Sequence, residues 1–232
     1  KGYLSGDTTF RGWRILAAKF LGGLVGIGSG LALGREGPTV QMGAAVAKIL
    51  SDRTAPSRVE RKILISAGAG AGLAAAFNAP LAGLFFVLEE LHSSFHQVVL
   101  ITAFVASVTA DIVCRVIVGH LPVFHIRISV YPELRMFPYF VILGALVGFL
   151  GLLFNKSLLQ TSDYVYRLAL PTKLVLALCV GLGFGAVAFV APESLGTGSE
   201  LITRALSSRM LFQQLLVYFL LRFVFTMVSY ST

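Results

Sequence analysis

The sequence predicts an all-α, multi-pass membrane protein with broken and tilted helices, and three observations carry that prediction. The 232-residue chain is 56% hydrophobic and only 13% charged, with a mean hydropathy of +0.82. Uncharged stretches at 63–88, 91–110, 136–155 and 174–192 approach or exceed the roughly 20 apolar residues that a bilayer-crossing helix needs. Glycine and proline interrupt two otherwise helical stretches, at 34–38 and 77–80. Hydrocarbon holds no water to satisfy backbone groups, so spanning segments are helices or closed barrels. The uncharged stretches lack strict alternation and are too long for barrel strands, which leaves helices.

Taken in order, residues 1–14 are polar and form a loop into the first helix. Residues 15–33 are apolar, with Lys19 the one charge, and Gly22, Gly23, Gly26, Gly28 and Gly30 let neighbouring helices approach closely. After the break at 34–38, Pro38 is placed to open a helix without wasting a donor. Residues 39–50 are helical in pattern but too short to span, so they read as a half-helix, tolerated only where protein or a watery cavity surrounds its ends. Lys48, Arg53, Arg58, Arg61 and Lys62 bracket a polar loop of cytoplasmic character.

Residues 63–88 have the length of one span, yet Phe77-Asn78-Ala79-Pro80 cuts them in two. Pro80 cannot continue a helix, and Asn78 is suited to cap a new one. The run from 66 to 76 is almost entirely small residues, the composition of a helix packed inside a bundle. Further spans are expected at 98–118, 138–154, 173–190 and 211–230, with polar connections at 119–137 and 191–209. Cys114 and Cys179 lie in or beside apolar segments and read as buried side chains rather than a disulfide. The chain opens on Lys1 without methionine and stops just after an apolar run, so it reads as a piece of a longer protein.

Several function classes fall away. The formal charge of +8 comes with no soluble domain or basic–aromatic platform, which argues against nucleic acid as a partner. His92 and His96 have metal-binding spacing, but Ser93 occupies the position where a metalloprotease helix carries its glutamate, and no further ligand set appears. We therefore expect no metal and no cofactor. Gly28-Ser29-Gly30 lacks the outer glycines of a nucleophile turn, so an intramembrane hydrolase is disfavoured.

What remains are carboxylates in apolar surroundings. Glu36 lies between uncharged runs at 20–34 and 37–47, where a charge is costly and marks a functional site by default. The competing reading is an interfacial Arg35–Glu36 ion pair. A helix beginning here offers exposed N–H groups and the positive end of its dipole, which collect anions. Glu36 is then a tethered anion standing where a free one would bind. Glu89 and Glu90 end the apolar run 84–88. Adjacent helical residues point roughly 100° apart, so at most one is expected to face inward as a proton carrier.

Gly34-Arg35-Glu36-Gly37-Pro38-Thr39-Val40-Gln41 resembles the central signature of the CLC chloride channels and proton–chloride antiporters. The resemblance continues through residues 72–83, Gly-Leu-Ala-Ala-Ala-Phe-Asn-Ala-Pro-Leu-Ala-Gly, to Glu89-Glu90, with a weaker echo at Phe189-Val190-Ala191-Pro192. It implies that residues 1–232 are part of a CLC transmembrane domain of inverted-repeat architecture, from a homodimer in a cell or inner membrane. Glu36 then resembles the gating glutamate, with the backbone at Arg35, Glu36 and Gly37 helping to hold chloride. Glu90 resembles the inner proton-transfer glutamate, with Glu89 beside it. An acid there points to proton-coupled chloride exchange, with chloride and protons as substrates. The alternatives are a passive, voltage- or pH-gated chloride channel and a non-transporting membrane scaffold. The family's anion-coordinating serine segment is expected before Lys1 and its coordinating tyrosine after Thr232, since Tyr230 lacks the right context.

Overall fold

A computed structural model describes residues 2–5, 11–55, 57–92, 95–119, 133–207 and 210–231. The described residues are helices joined by turns, and they divide into two units. The first holds α1 (Gly2–Ser5), most of α2 (Gly12–Gly28), α3 (Glu36–Thr54), α4 (Arg58–Phe77), α5 (Pro80–Phe86), a π-helical turn (Val87–His92) and α6 (Gln97–Val118). The second holds the segment 26–33, α7 (Phe137–Arg167), α8 (Leu170–Val190), α9 (Ser199–Ser207) and α10 (Phe212–Ser231). Among the described residues, four helical stretches are long and apolar enough to cross a membrane: Gln97–Val118, Leu134–Arg167, Leu170–Val190 and Phe212–Ser231.

In the first unit α4 is the hub, because its small residues admit a neighbour on each side. A Cβ added at Gly72 would strike the Thr39 carbonyl of α3, and one at Gly68 would strike Ala47. On another face, Gly70 lies against Gly83 of α5, whose added Cβ would sit 2.8 Å from the Ser107 hydroxyl of α6. Backbone-to-backbone approach of this kind replaces the hydrophobic drive that lipid removes. Thr39 lies opposite Gly72 and Gly43 opposite Gly68, so α3 and α4 run antiparallel. The apolar core lies to one side, where Leu84, Val87, Leu88, Val99 and Ala103 pack with Ile63, Phe86 and Leu91.

Local signals fix the element ends. Ser57 and Glu60 form a capping box at the start of α4, with Glu60 N–H donating to Ser57 Oγ at 3.2 Å and Ser57 N–H to Glu60 Oε2 at 3.3 Å. At the other end Asn78 takes a left-handed conformation, φ 52° and ψ 40°, and donates its N–H to the Ala74 carbonyl. Asn78 therefore closes α4 and does not open α5. Asparagine tolerates the left-handed region that this terminator needs. Ala79 precedes α5 without a side-chain cap, and Pro80 supplies its first residue.

Other expectations are also corrected. Helix α3 is not a 12-residue half-helix: it spans 19 residues from Glu36 to Thr54, and Lys48, Asp52 and Arg53 make its final turns polar. Pro38 is its third residue, still inside the first turn, where a missing N–H removes no intrahelical bond. Helix α2 ends at Gly28, and α7 runs on to Arg167 through Lys156 and Asp163. The connection 191–209 contains α9, whose Leu201, Ile202, Ala205 and Leu206 give an apolar stripe at helical spacing. Of the connection 119–137, only Gly119 and residues 133–137 lie within the described residues.

The second unit is held by polar ties. Arg222 of α10 donates to the carbonyls of Ser194 at 3.0 Å and Gly196 at 2.7 Å. Gly196 N–H donates to the Gly30 carbonyl at 3.0 Å, and Ala32 N–H to Ser229 Oγ at 3.1 Å. An added Cβ at Gly198, where φ is +77°, would meet the Arg222 guanidinium at 2.8 Å. Apolar side chains on α7, α8 and α10 largely face outward, as lipid-facing helices do.

Candidate functional site

Glu36 is the first residue of α3 and is partly buried. Arg35 precedes it in helical conformation, φ −78° and ψ −13°, with no side-chain cap on the helix start. Thr39 Oγ1 donates back to the carbonyls of Arg35 at 3.1 Å and Glu36 at 2.9 Å, which orients the turn. The N–H groups of Glu36 and Gly37 lie in the first turn, before any intrahelical acceptor is available. Among the described residues no ion pair joins Arg35 to Glu36, so the interfacial-pair reading has no support from geometry. What results is an open helix start with N–H groups, a dipole and a carboxylate in one turn, which suits a site where an anion and a carboxylate compete.

Rigid surroundings hold this turn. Its Thr39 backbone abuts Gly72, and a Cβ at Gly23 of α2 would sit 3.7 Å from Pro38 Cβ. Two helices thus pack on the turn that carries Glu36.

Glu89 and Glu90 lie in the π-helical turn that extends α5. Both are exposed, so neither faces the core of the described chain. The wider turn delivers Val87 and Leu88 to the core, 0% and 2% exposed, and the two carboxylates that follow emerge from it. Single π-helical turns recur at functional positions. The structure does not bring Glu36 into contact with either acid. It links the two places through α4, where Gly72 meets the start of α3 and Ser66 meets His92 at the end of the π turn. Those α4 residues are six apart, roughly 9 Å along the axis at 1.5 Å per residue.

His92 Nε2 is 2.9 Å from Ser66 Oγ, which donates in turn to the Lys62 carbonyl at 2.9 Å. Burial pushes the His92 imidazole below its ordinary 6.5, and nearby His96 adds to the shift. Because the folded value is depressed, the ring's contribution to stability is complete above 6.5 and is lost as pH falls through the lower folded value. His96 precedes α6 in extended conformation without a side-chain cap, outside the π turn, so the two histidines do not share a helical face. Among the described residues no group of three metal-binding side chains forms.

Sequence reading passed over an ion pair on α6 whose acid is buried and whose base is partly exposed. Asp111 is 6% exposed, and its Oδ2 accepts from Arg115 Nε at 2.8 Å. The signal was an acid and a base four residues apart near the end of an apolar span.

Among the described residues, an uncapped helix start followed by a second broken helix is the kind of arrangement that polytopic membrane proteins with central ion sites use. The family model described as "Voltage gated chloride channel" matches residues 1–232, and the chain belongs to that family. It is an integral membrane protein. It is 40% identical over 208 residues to the H(+)/Cl(-) exchange transporter ClcA of Vibrio cholerae, covering 87% of this chain and 44% of that protein. With ClcA of Vibrio vulnificus it shares 37% over 238 residues, covering 100% of this chain and 51% of that one. A slow cyanobacterial Cl-/H+ antiporter superimposes with a TM-score of 0.93 at 30% identity, over 99% of this chain and 55% of the other. A CLC-type fluoride/proton antiporter gives 0.72 at 28% identity, over 87% and 51%. The chain thus spans about half the length of the relatives it matches.

Proposed function

We propose that the full-length protein containing this chain exchanges protons for chloride across a membrane, as a homodimer. The observation that carries this reading is Glu36 as first residue of α3, next to first-turn N–H groups that no intrahelical carbonyl can reach. Chloride held by the backbone of Arg35, Glu36 and Gly37 and the Glu36 carboxylate are alternative occupants of one turn. Protonation removes the carboxylate's charge and its claim on that turn, so anion occupancy and proton occupancy alternate. Glu90, with Glu89 beside it, takes protons from the opposite side. Its place on the π turn, outside the apolar core, suits that role. The curated relatives named as exchange transporters support exchange over a passive pore.

Purified full-length protein in liposomes tests the reading. A chloride gradient should drive proton movement, and Glu90→Val should lower proton flux about tenfold or more while chloride flux persists. Chloride flux with no coupled proton movement in the unmodified protein supports a passive channel instead, and no flux of either ion supports a scaffold.

A further inference from the structure

The buried stripe of α6 ends in charge. Val99, Ala103, Ser107 and Asp111 recur every fourth residue and are all buried, which is the spacing of one helical face. The first two belong to the apolar core, and Ser107 stands against Gly83 of α5. Asp111 brings a carboxylate to the same buried face. Its Oδ2 accepts from Arg115 Nε at 2.8 Å, while Oδ1 is shielded and has no hydrogen-bond partner among the described residues. A carboxylate kept under those conditions is expensive, and an apolar residue of similar size would fill the space at lower cost.

What the pair holds explains why charge stands there. Arg115 Nη2 donates to the Asn78 carbonyl at 3.4 Å, and the neighbouring Cys114 thiol to the Ala75 carbonyl at 3.5 Å. Both carbonyls lie at the end of α4, where the last backbone acceptors lack intrahelical donors and the dipole favours a cation. Asn78 is the left-handed residue between α4 and α5, and Pro80 two residues on has no N–H with which to fix the corner. The direction of α5, and of the π turn that continues it, is set at this corner.

We infer that Asp111 and Arg115 form a positioning pair for proton transfer: Asp111 orients the guanidinium, Arg115 grips the Asn78 carbonyl, and the α4–α5 corner so held aims Glu89 and Glu90. The inference rests on the proton-relay reading of Glu90, and neither member of the pair touches those acids or the ions. Arginine is required because one side chain must bond Asp111 through Nε and Asn78 through Nη2 at once, which a lysine ammonium on a flexible stem does not reproduce.

Paired chloride and proton fluxes of the full-length protein in liposomes, normalised to monodisperse protein, test the inference. Asp111→Ala and Arg115→Lys should each lower proton flux roughly tenfold, with chloride flux held within about twofold, as expected for a small misplacement of a reacting group. Asp111→Asn keeps an acceptor for Arg115 and should restore most of the coupling. Combining Asp111→Ala with Arg115→Leu should cost no more than either change alone, because the pair acts as a unit. Should Asp111→Ala fail to yield folded protein, Arg115→Lys carries the test by itself. An unchanged proton-to-chloride ratio in these variants overturns the inference, as does a proportional fall of both fluxes, which marks a structural role. Glu90→Gln run alongside separates the two levels. If it abolishes proton flux while the pair variants do not, only the positioning role fails; if it leaves proton flux intact, the relay reading itself fails.

Discussion

The two units of this chain solve the same problem, packing helices where the hydrophobic effect offers little, in different ways. In the first, glycines of α3, α4 and α5 bring backbones into direct contact, and Gly43, Gly68, Gly70, Gly72 and Gly83 have no room for a methyl group. In the second, Gly144, Gly148 and Gly151 of α7 and Gly181, Gly183 and Gly185 of α8 have no atom within 4 Å of an added Cβ. That unit is tied by Arg222, Ser229 and backbone links around the Pro192–Ser194 turn. The acids lie in the unit with no slack. The proposed competition between proton and anion would need well-positioned carboxylates, and contacts between backbones supply position better than flexible side chains do.

This contrast can be broken experimentally. The largest stability effect is expected for Gly72→Val, whose side chain would be driven into the Thr39 backbone one turn from Glu36. A loss of about 3 kcal/mol, at the upper end for overpacked sites, should appear as a lowered thermal midpoint in detergent together with lost transport. Wild-type stability in that variant would show that α3 and α4 are not in backbone contact. In the second unit, Arg222→Leu removes two charge-assisted bonds to carbonyls and should cost about 2 kcal/mol, with coupling unchanged in the protein that folds. Altered coupling there would extend the transport machinery beyond the first unit. The smallest effect is expected for Gly144→Ala, which has open space around it and gains helix propensity, for a change of at most about 1 kcal/mol in the stabilising direction. Destabilisation by Gly144→Ala would reveal a close neighbour on α7 and dissolve the contrast.

Much of this arrangement was legible in the sequence, for identifiable reasons. Helices α6, α8 and α10 begin and end within three residues of the expected 98–118, 173–190 and 211–230, because hydropathy reports spans directly. The Glu36 break was visible because a charge between two glycines stands out in apolar surroundings. Chain direction at the corners was not. Asn78 fits the start of a helix and the end of one equally well by composition, and only its φ of 52° settles which. The full length of α3 was obscured because charged residues such as Lys48, Asp52 and Arg53 resemble a loop when read for hydropathy, yet they continue the helix. Helix α9 was hidden in the same way, by a polar face that masks a regular apolar stripe. Glu89 and Glu90 lie on a π-helical turn, an element that a regular helical period does not anticipate.

The most direct test of the central claim compares unmodified full-length protein with Glu36→Ala in liposomes, recording chloride and proton movement together under a chloride gradient. The unmodified protein should couple the two fluxes, and Glu36→Ala should still move chloride but carry no coupled protons. Proton movement that remains coupled to chloride in Glu36→Ala would contradict the claim.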